Sequence, residues 1–99
     1  MSDTAHAVDV VVRPGQDIVA STAEGLRAEW KKLMQPGAAA LTVDLAGVEM
    51  IDSVGLGLLI ATHNTLGKSG GRLRVSGASP DILSLFRTMR LDKHFILEG

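Results

Sequence analysis

Residues 41–67 read LTVDLAGVEMIDSVGLGLLIATHNTLG, and the apolar period of the segment changes at its middle. Leu41, Val43 and Leu45 alternate with Thr42, Asp44 and Ala46. A period of two predicts a strand with at least one buried face. From Val54 onward the apolar residues fall at helical spacings, through Leu58, Ala61 and Leu66, with Leu59 and Ile60 widening the stripe. Asp52 or Ser53 suits the helix N-cap, because either side-chain oxygen can accept a hydrogen bond from a first-turn amide. Gly55 and Gly57 follow at once, although each glycine costs about 1 kcal/mol relative to alanine inside a helix. Bare backbone is therefore required there, either for close packing or for the approach of a partner. Ser53 stands beside open amides at the positive end of a helix dipole, where a phosphate or carboxylate is favoured.

The N-terminal side of this segment predicts a loose tail over residues 1–7 and a strand over Val8 to Arg13, broken by Pro14-Gly15. Asp17 to Ala20 reads as a second short strand, paired with the first as a hairpin. Ser21-Thr22-Ala23-Glu24 has the capping-box spacing. A helix follows through Leu26, Trp30, Leu33 and Met34, and Pro36-Gly37 stops it. On the C-terminal side, Gly67 to Gly71 makes a turn and Arg72 to Ser76 a strand. Pro80 opens a helix whose apolar face holds Ile82, Leu83, Leu85, Phe86 and Met89. His94 to Leu97 closes the chain as a short strand or extended tail. The order β-β-α-β-α-β-α-β describes one α/β domain over residues 1–99. Its sheet is expected to be mixed: parallel units with right-handed crossovers, an antiparallel opening pair, and helices mainly on one face.

Ninety-nine residues make one domain, and 45% apolar content supports a core at this size. The net charge of −1 gives no bulk attraction for nucleic acid or an anionic membrane. The chain has no cysteine, so neither a disulfide framework nor a thiolate metal site is available. No apolar run approaches the ~20 residues of a membrane helix, and residues 1–10 lack the plan of a signal peptide. These features point to a soluble, cytoplasmic protein. His6, His63 and His94 have no metal-ligand spacing. The glycines match no nucleotide-binding loop, and Gly67-Lys68-Ser69 ends a helix instead of opening one. Met50 and Ile51, just before the corner, can offer apolar contact to a partner, and an exposed Leu56 would extend that ridge.

Asp52-Ser53-Val54-Gly55-Leu56-Gly57, placed after a strand and opening a helix, resembles the D-S-x-G-L-G signature of the STAS domain. More narrowly it resembles bacterial anti-sigma factor antagonists, and Gly70-Gly71-Arg72-Leu73-Arg74-Val75 is similar to the family's next strand. The resemblance spans about Val8 to Leu97. It implies a STAS-like fold and a protein-binding regulatory module, with neither enzyme activity nor a cofactor. Ser53 matches the family's phosphoacceptor; on its residue type alone it is equally a helix cap. The implied partners are an anti-sigma factor that is also a serine kinase with a histidine-kinase-like ATPase fold, and a serine phosphatase. The implied contact surface comprises Asp17, Ser21, Thr22, Asp52, Ser53, Val54, Gly55, Leu56, Gly57 and Leu58. One departure stands out: Val19 occupies the place where the family often has an acidic residue, and Asp17 lies two residues earlier. The alternative implied by the same resemblance is a STAS module of another signalling circuit or of a lipid-transport complex, without sigma factor control. A small-molecule site at the corner would have only Asp52 and Ser53 as convergent polar groups.

Overall fold

A computed structural model describes residues 8–34, 38–68 and 70–98. In chain order it contains β1 (Val8–Val12), α1 (Ala20–Leu33), β2 (Ala38–Asp44), α2 (Ser53–Gly67), β3 (Arg72–Ser76), α3 (Pro80–Thr88), a 3-10 turn at Leu91–Lys93, and β4 (Ile96–Glu98). The strands lie side by side as β1-β2-β3-β4, and all three pairings are parallel. One row of the register runs Val12, Val43, Val75, Leu97, and the row beside it runs Val11, Thr42, Arg74, Ile96. The first row is largely buried, whereas Val11 and Arg74 in the second are exposed. The sheet therefore turns one face to the helices and the other to solvent. Strands laid down in sequence order by right-handed crossovers place every helix on the same face, which accounts for this asymmetry.

The core between sheet and helices is aliphatic, with Trp30 and Phe86 as its largest fully buried side chains. α2 contributes Leu58, Leu59 and Leu66, packed with Leu41, Val43 and Leu73 of the sheet in one cluster. Burial of each such side chain stabilises the fold by about 1.5–3 kcal/mol, before the cost of ordering it.

Several local expectations are corrected. The antiparallel opening pair does not form. Beyond Pro14-Gly15, where Gly15 has φ +63°, the chain pairs with the segment before α2. Ile18 makes an isolated parallel bridge to Ile51. Its amide donates to the Met50 carbonyl at 3.0 Å, and its carbonyl accepts from the Asp52 amide at 3.3 Å. The next residues are already committed to α1, so no length remains for a second strand. α1 also starts earlier than the capping-box spacing suggests: Val19 is its N-cap, with Thr22 at the third helical position. Val54 is exposed, because the buried stripe of α2 is centred on Leu58, Leu59, Thr62 and Leu66. Met89 is exposed beyond the end of α3. The expected tail over residues 1–7 and the expected stop at Pro36-Gly37 lie outside the described residues.

Candidate functional site

The corner between β2 and α2 is built around the Asp52 carboxylate. Asp52 is the N-cap of α2, and its Oδ1 accepts from the Gly55 amide at 2.8 Å. Its Oδ2 accepts from the Ala20 amide at 3.0 Å, and Ala20 is the first residue of α1. One carboxylate thus caps two helices and lies at the positive ends of both dipoles. The Gly55 amide first, and then the Ala20 amide, hold the carboxyl below its ordinary value of 3.8; partial desolvation acts in the opposite direction. The sequence signal for a cap at Asp52 was present. Its second bond, across 32 residues, could not be read from local spacing.

A second carboxylate fixes the approach to the corner. Asp17 Oδ1 accepts from the amides of Glu49 at 3.0 Å and Met50 at 3.1 Å. The Thr22 hydroxyl donates to the Asp17 carbonyl at 2.7 Å and accepts from the Val19 amide at 3.0 Å. Asp17 and Thr22, both half-buried, therefore brace the loop before α1 against the loop before α2. The Asp17 carboxylate that stands two residues before Val19 is already engaged by backbone amides.

Gly55 and Gly57 separate cleanly. A Cβ on Gly55 would lie 1.9 Å from the Ile18 carbonyl oxygen and 2.9 Å from Ile51 Cγ2. Nothing lies within 4 Å of a Cβ on Gly57. Gly55 lets the α1 loop touch the first turn of α2, while Gly57 is exposed on the helix surface.

Ser53, the first residue of α2, is exposed. Met50 and Val54 beside it are 57% and 48% exposed, high for large apolar side chains. Ser21 is exposed on the adjoining first turn of α1. The corner therefore presents a ridge of Met50, Ser53, Val54 and Gly57, flanked by Ser21. Leu56, Leu58 and Gly55 are not part of it. The side chains of Leu56 and Leu58 are buried, and Gly55 is covered by the Ile18 carbonyl, so none of the three is open to a partner. Of the two apolar contacts that the sequence offered just before the corner, Met50, whose amide donates to Asp17, belongs to the ridge, whereas Ile51 is buried. Among the described residues no group of three or more His, Cys, Asp or Glu could hold a metal. His63 and His94, far apart in sequence, do meet, with ring centroids 5.9 Å apart, but away from the corner.

Residues 1–98 match the STAS_2 family model, described as "Mlab, STAS domain". Among curated proteins, none matches the chain by sequence. Several solved structures share its fold, including the following two. One is a provisionally assigned anti-sigma factor antagonist from Thermotoga maritima, 19% identical, with a TM-score of 0.85 over 94% of this chain and 82% of the other. The second is the anti-sigma factor antagonist SpoIIAA in its unphosphorylated form, 20% identical, with a TM-score of 0.73 over 92% of this chain and 79% of the other. No helix of the described residues is long and apolar enough to cross a membrane.

Proposed function

Because this chain belongs to the STAS_2 family, we propose that it is a regulatory binding module that captures an anti-sigma factor and is switched by phosphorylation of Ser53. The reading rests on one observation above the rest: an exposed hydroxyl at a helix N-terminus, between two exposed apolar side chains, Met50 and Val54. A protein partner gains from covering the two apolar groups, and a neutral serine between them is cheaply desolvated. Phosphate on Ser53 adds about −1.5 to −2 charges at that spot. The first-turn amides can solvate it in the free protein. Docking would bury the dianion near the Asp52 carboxylate, where like charges repel. A loss of about 3 kcal/mol at the interface weakens binding more than a hundredfold. The switch is local, and no refolding is required.

The partner in this reading is an anti-sigma factor with a histidine-kinase-like ATPase fold that phosphorylates Ser53 and thereby releases itself, and a serine phosphatase restores the module. ATP belongs to the kinase, so the chain needs no cofactor. The module works in the cytoplasm and performs no catalysis. A second reading is favoured by Val19 at the place of the usual acidic residue: the same ridge would serve a STAS module of another assembly, without phosphoryl transfer.

The test uses the purified chain, an anti-sigma factor of that fold from the same organism, and ATP. Intact mass should rise by one phosphate, localised to Ser53, and the Ser53→Ala chain should stay unmodified. Co-elution with the kinase should be lost for the phosphorylated chain and for Ser53→Asp, and kept for Ser53→Ala. Binding without any modification selects the second reading. Unchanged affinity of the phosphorylated chain refutes the switch.

A further inference from the structure

The first turns of α1 and α2 meet at the Asp52 carboxylate and the two helices pack together, so a second shared surface lies at their C-terminal halves. Two adjoining hollows of about 600 and about 230 Å³ open between them, and Lys31, Met34 and Thr65 border both. The floor that a partner could touch is apolar, formed by half-buried Met34 and Ala61, with the buried Leu58 beneath them. The α1 rim carries Arg27, Lys31 and Lys32, whereas among the described residues no carboxylate lines either hollow. In a chain with 10 basic and 11 acidic residues, three basic side chains on one rim are a local excess of positive charge. Lys31 and Lys32 lie in the last turn of α1, where they complement its dipole. That role does not extend to Arg27, a turn earlier, which makes a 3.9 Å exposed pair with Glu24. Thr65 is twelve residues beyond Ser53, about 18 Å along the helix axis. The groove is thus separate from the ridge of the proposed switch.

We infer that this groove docks an acidic amphipathic helix of a protein partner. An open trough along two helices is the shape that receives a third, apolar face down. Arg27 and Lys31 are one turn apart, with Cβ atoms at about 5–6 Å, which matches the spacing of two glutamates four residues apart on a docking helix. Charge along one rim only would fix the orientation of that helix, its acidic flank toward α1 and its neutral flank toward Thr62 and Thr65.

The probe is a fluorescein-labelled 18-residue helix with a leucine face and glutamate flanks, titrated into the full chain by anisotropy. Its lysine-flanked counterpart, vesicles of anionic phospholipid, and a long-chain fatty acid form the other arms. The glutamate helix should bind, with amide shift changes at Ala28, Lys31 and Thr65, and the lysine helix should not. Lys31→Glu and Arg27→Glu, both at exposed sites, should weaken binding about tenfold or more, while the lost dipole and Glu24 complementarity lowers the thermal midpoint by only a few degrees, at about 4–8 °C per kcal/mol. Ser53→Asp should leave it unchanged, which separates this surface from the phosphorylation reading. Equal binding of both helices, insensitivity to Lys31→Glu, or occupation of the groove by vesicles or fatty acid but not by the helix would overturn the inference.

Discussion

Adding one methyl group at either of two neighbouring glycines should move the stability of this protein in opposite directions. At Gly55 the new Cβ would overlap the Ile18 carbonyl oxygen at 1.9 Å and crowd its carbon at 2.8 Å. Both are backbone atoms, and the oxygen also accepts from the Asp52 amide, so neither can swing aside as a side chain would. Forcing an extra methyl into such a place costs about 1–3 kcal/mol, occasionally more. The helix-propensity gain of alanine over glycine, about 1 kcal/mol, offsets only part of a clash this severe. A net loss of about 2 kcal/mol lowers the thermal midpoint of a domain this size by about 8–16 °C. At Gly57 the site is open, so the propensity gain stands alone, and the midpoint should rise by about 4–8 °C. Scanning calorimetry of the two alanine variants reads both shifts, and urea unfolding checks them at constant temperature. A midpoint for Gly55→Ala at or above that of the parent chain would refute the packing argument. A fall for Gly57→Ala would show that its surface is not open. Binding adds a second readout. Gly57→Ala that keeps the fold and loses the partner would place that glycine in the interface.

The Asp52 carboxyl, held low by the amides of Gly55 and Ala20, stabilises the fold fully above its ordinary value of 3.8. That contribution disappears as pH falls through the lowered value, since the unfolded chain then binds the proton more readily. The thermal midpoint should therefore drop on acidification below about pH 4, and Asp52→Asn should flatten this part of the profile while lowering the midpoint at neutral pH. Asp17→Ala removes the acceptor for the Glu49 and Met50 amides. It should cost about 1 kcal/mol by urea unfolding, and it should also weaken partner binding by freeing the loop that carries Met50.

The α/β class and the three helices were legible because apolar period is a local property. Strand β2, helix α2 and strand β3 each carry a pattern that their own burial enforces, and Pro80 marks the start of α3 without reference to anything distant. The Asp17–Ala20 segment was misread because its composition is strand-like while its pairing partner lies more than thirty residues ahead. Ile18 does take up extended backbone and does bridge, but to Ile51. Val54 and Leu56 were exchanged in role for a similar reason. Helical spacing gives the width of a stripe, but the angle at which α2 meets the sheet fixes which edge of it is covered. At the candidate site, the motif located Ser53 and Asp52. The ridge itself, with Met50 exposed and Leu56 buried, stands at a corner held by three long-range carboxylate–amide bonds, from Asp17 and Asp52, that no local pattern encodes.

The sequential strand order has a consequence for how such a chain comes into being. Every strand after the first is added beside the one made just before it, with a single helix returning the polypeptide to its starting end. During vectorial synthesis no strand has to wait for a later neighbour, and none must be inserted between two already joined. The growing sheet always offers one finished edge to the segment now emerging from the ribosome, and β4, only three residues long, joins the edge that β3 leaves open.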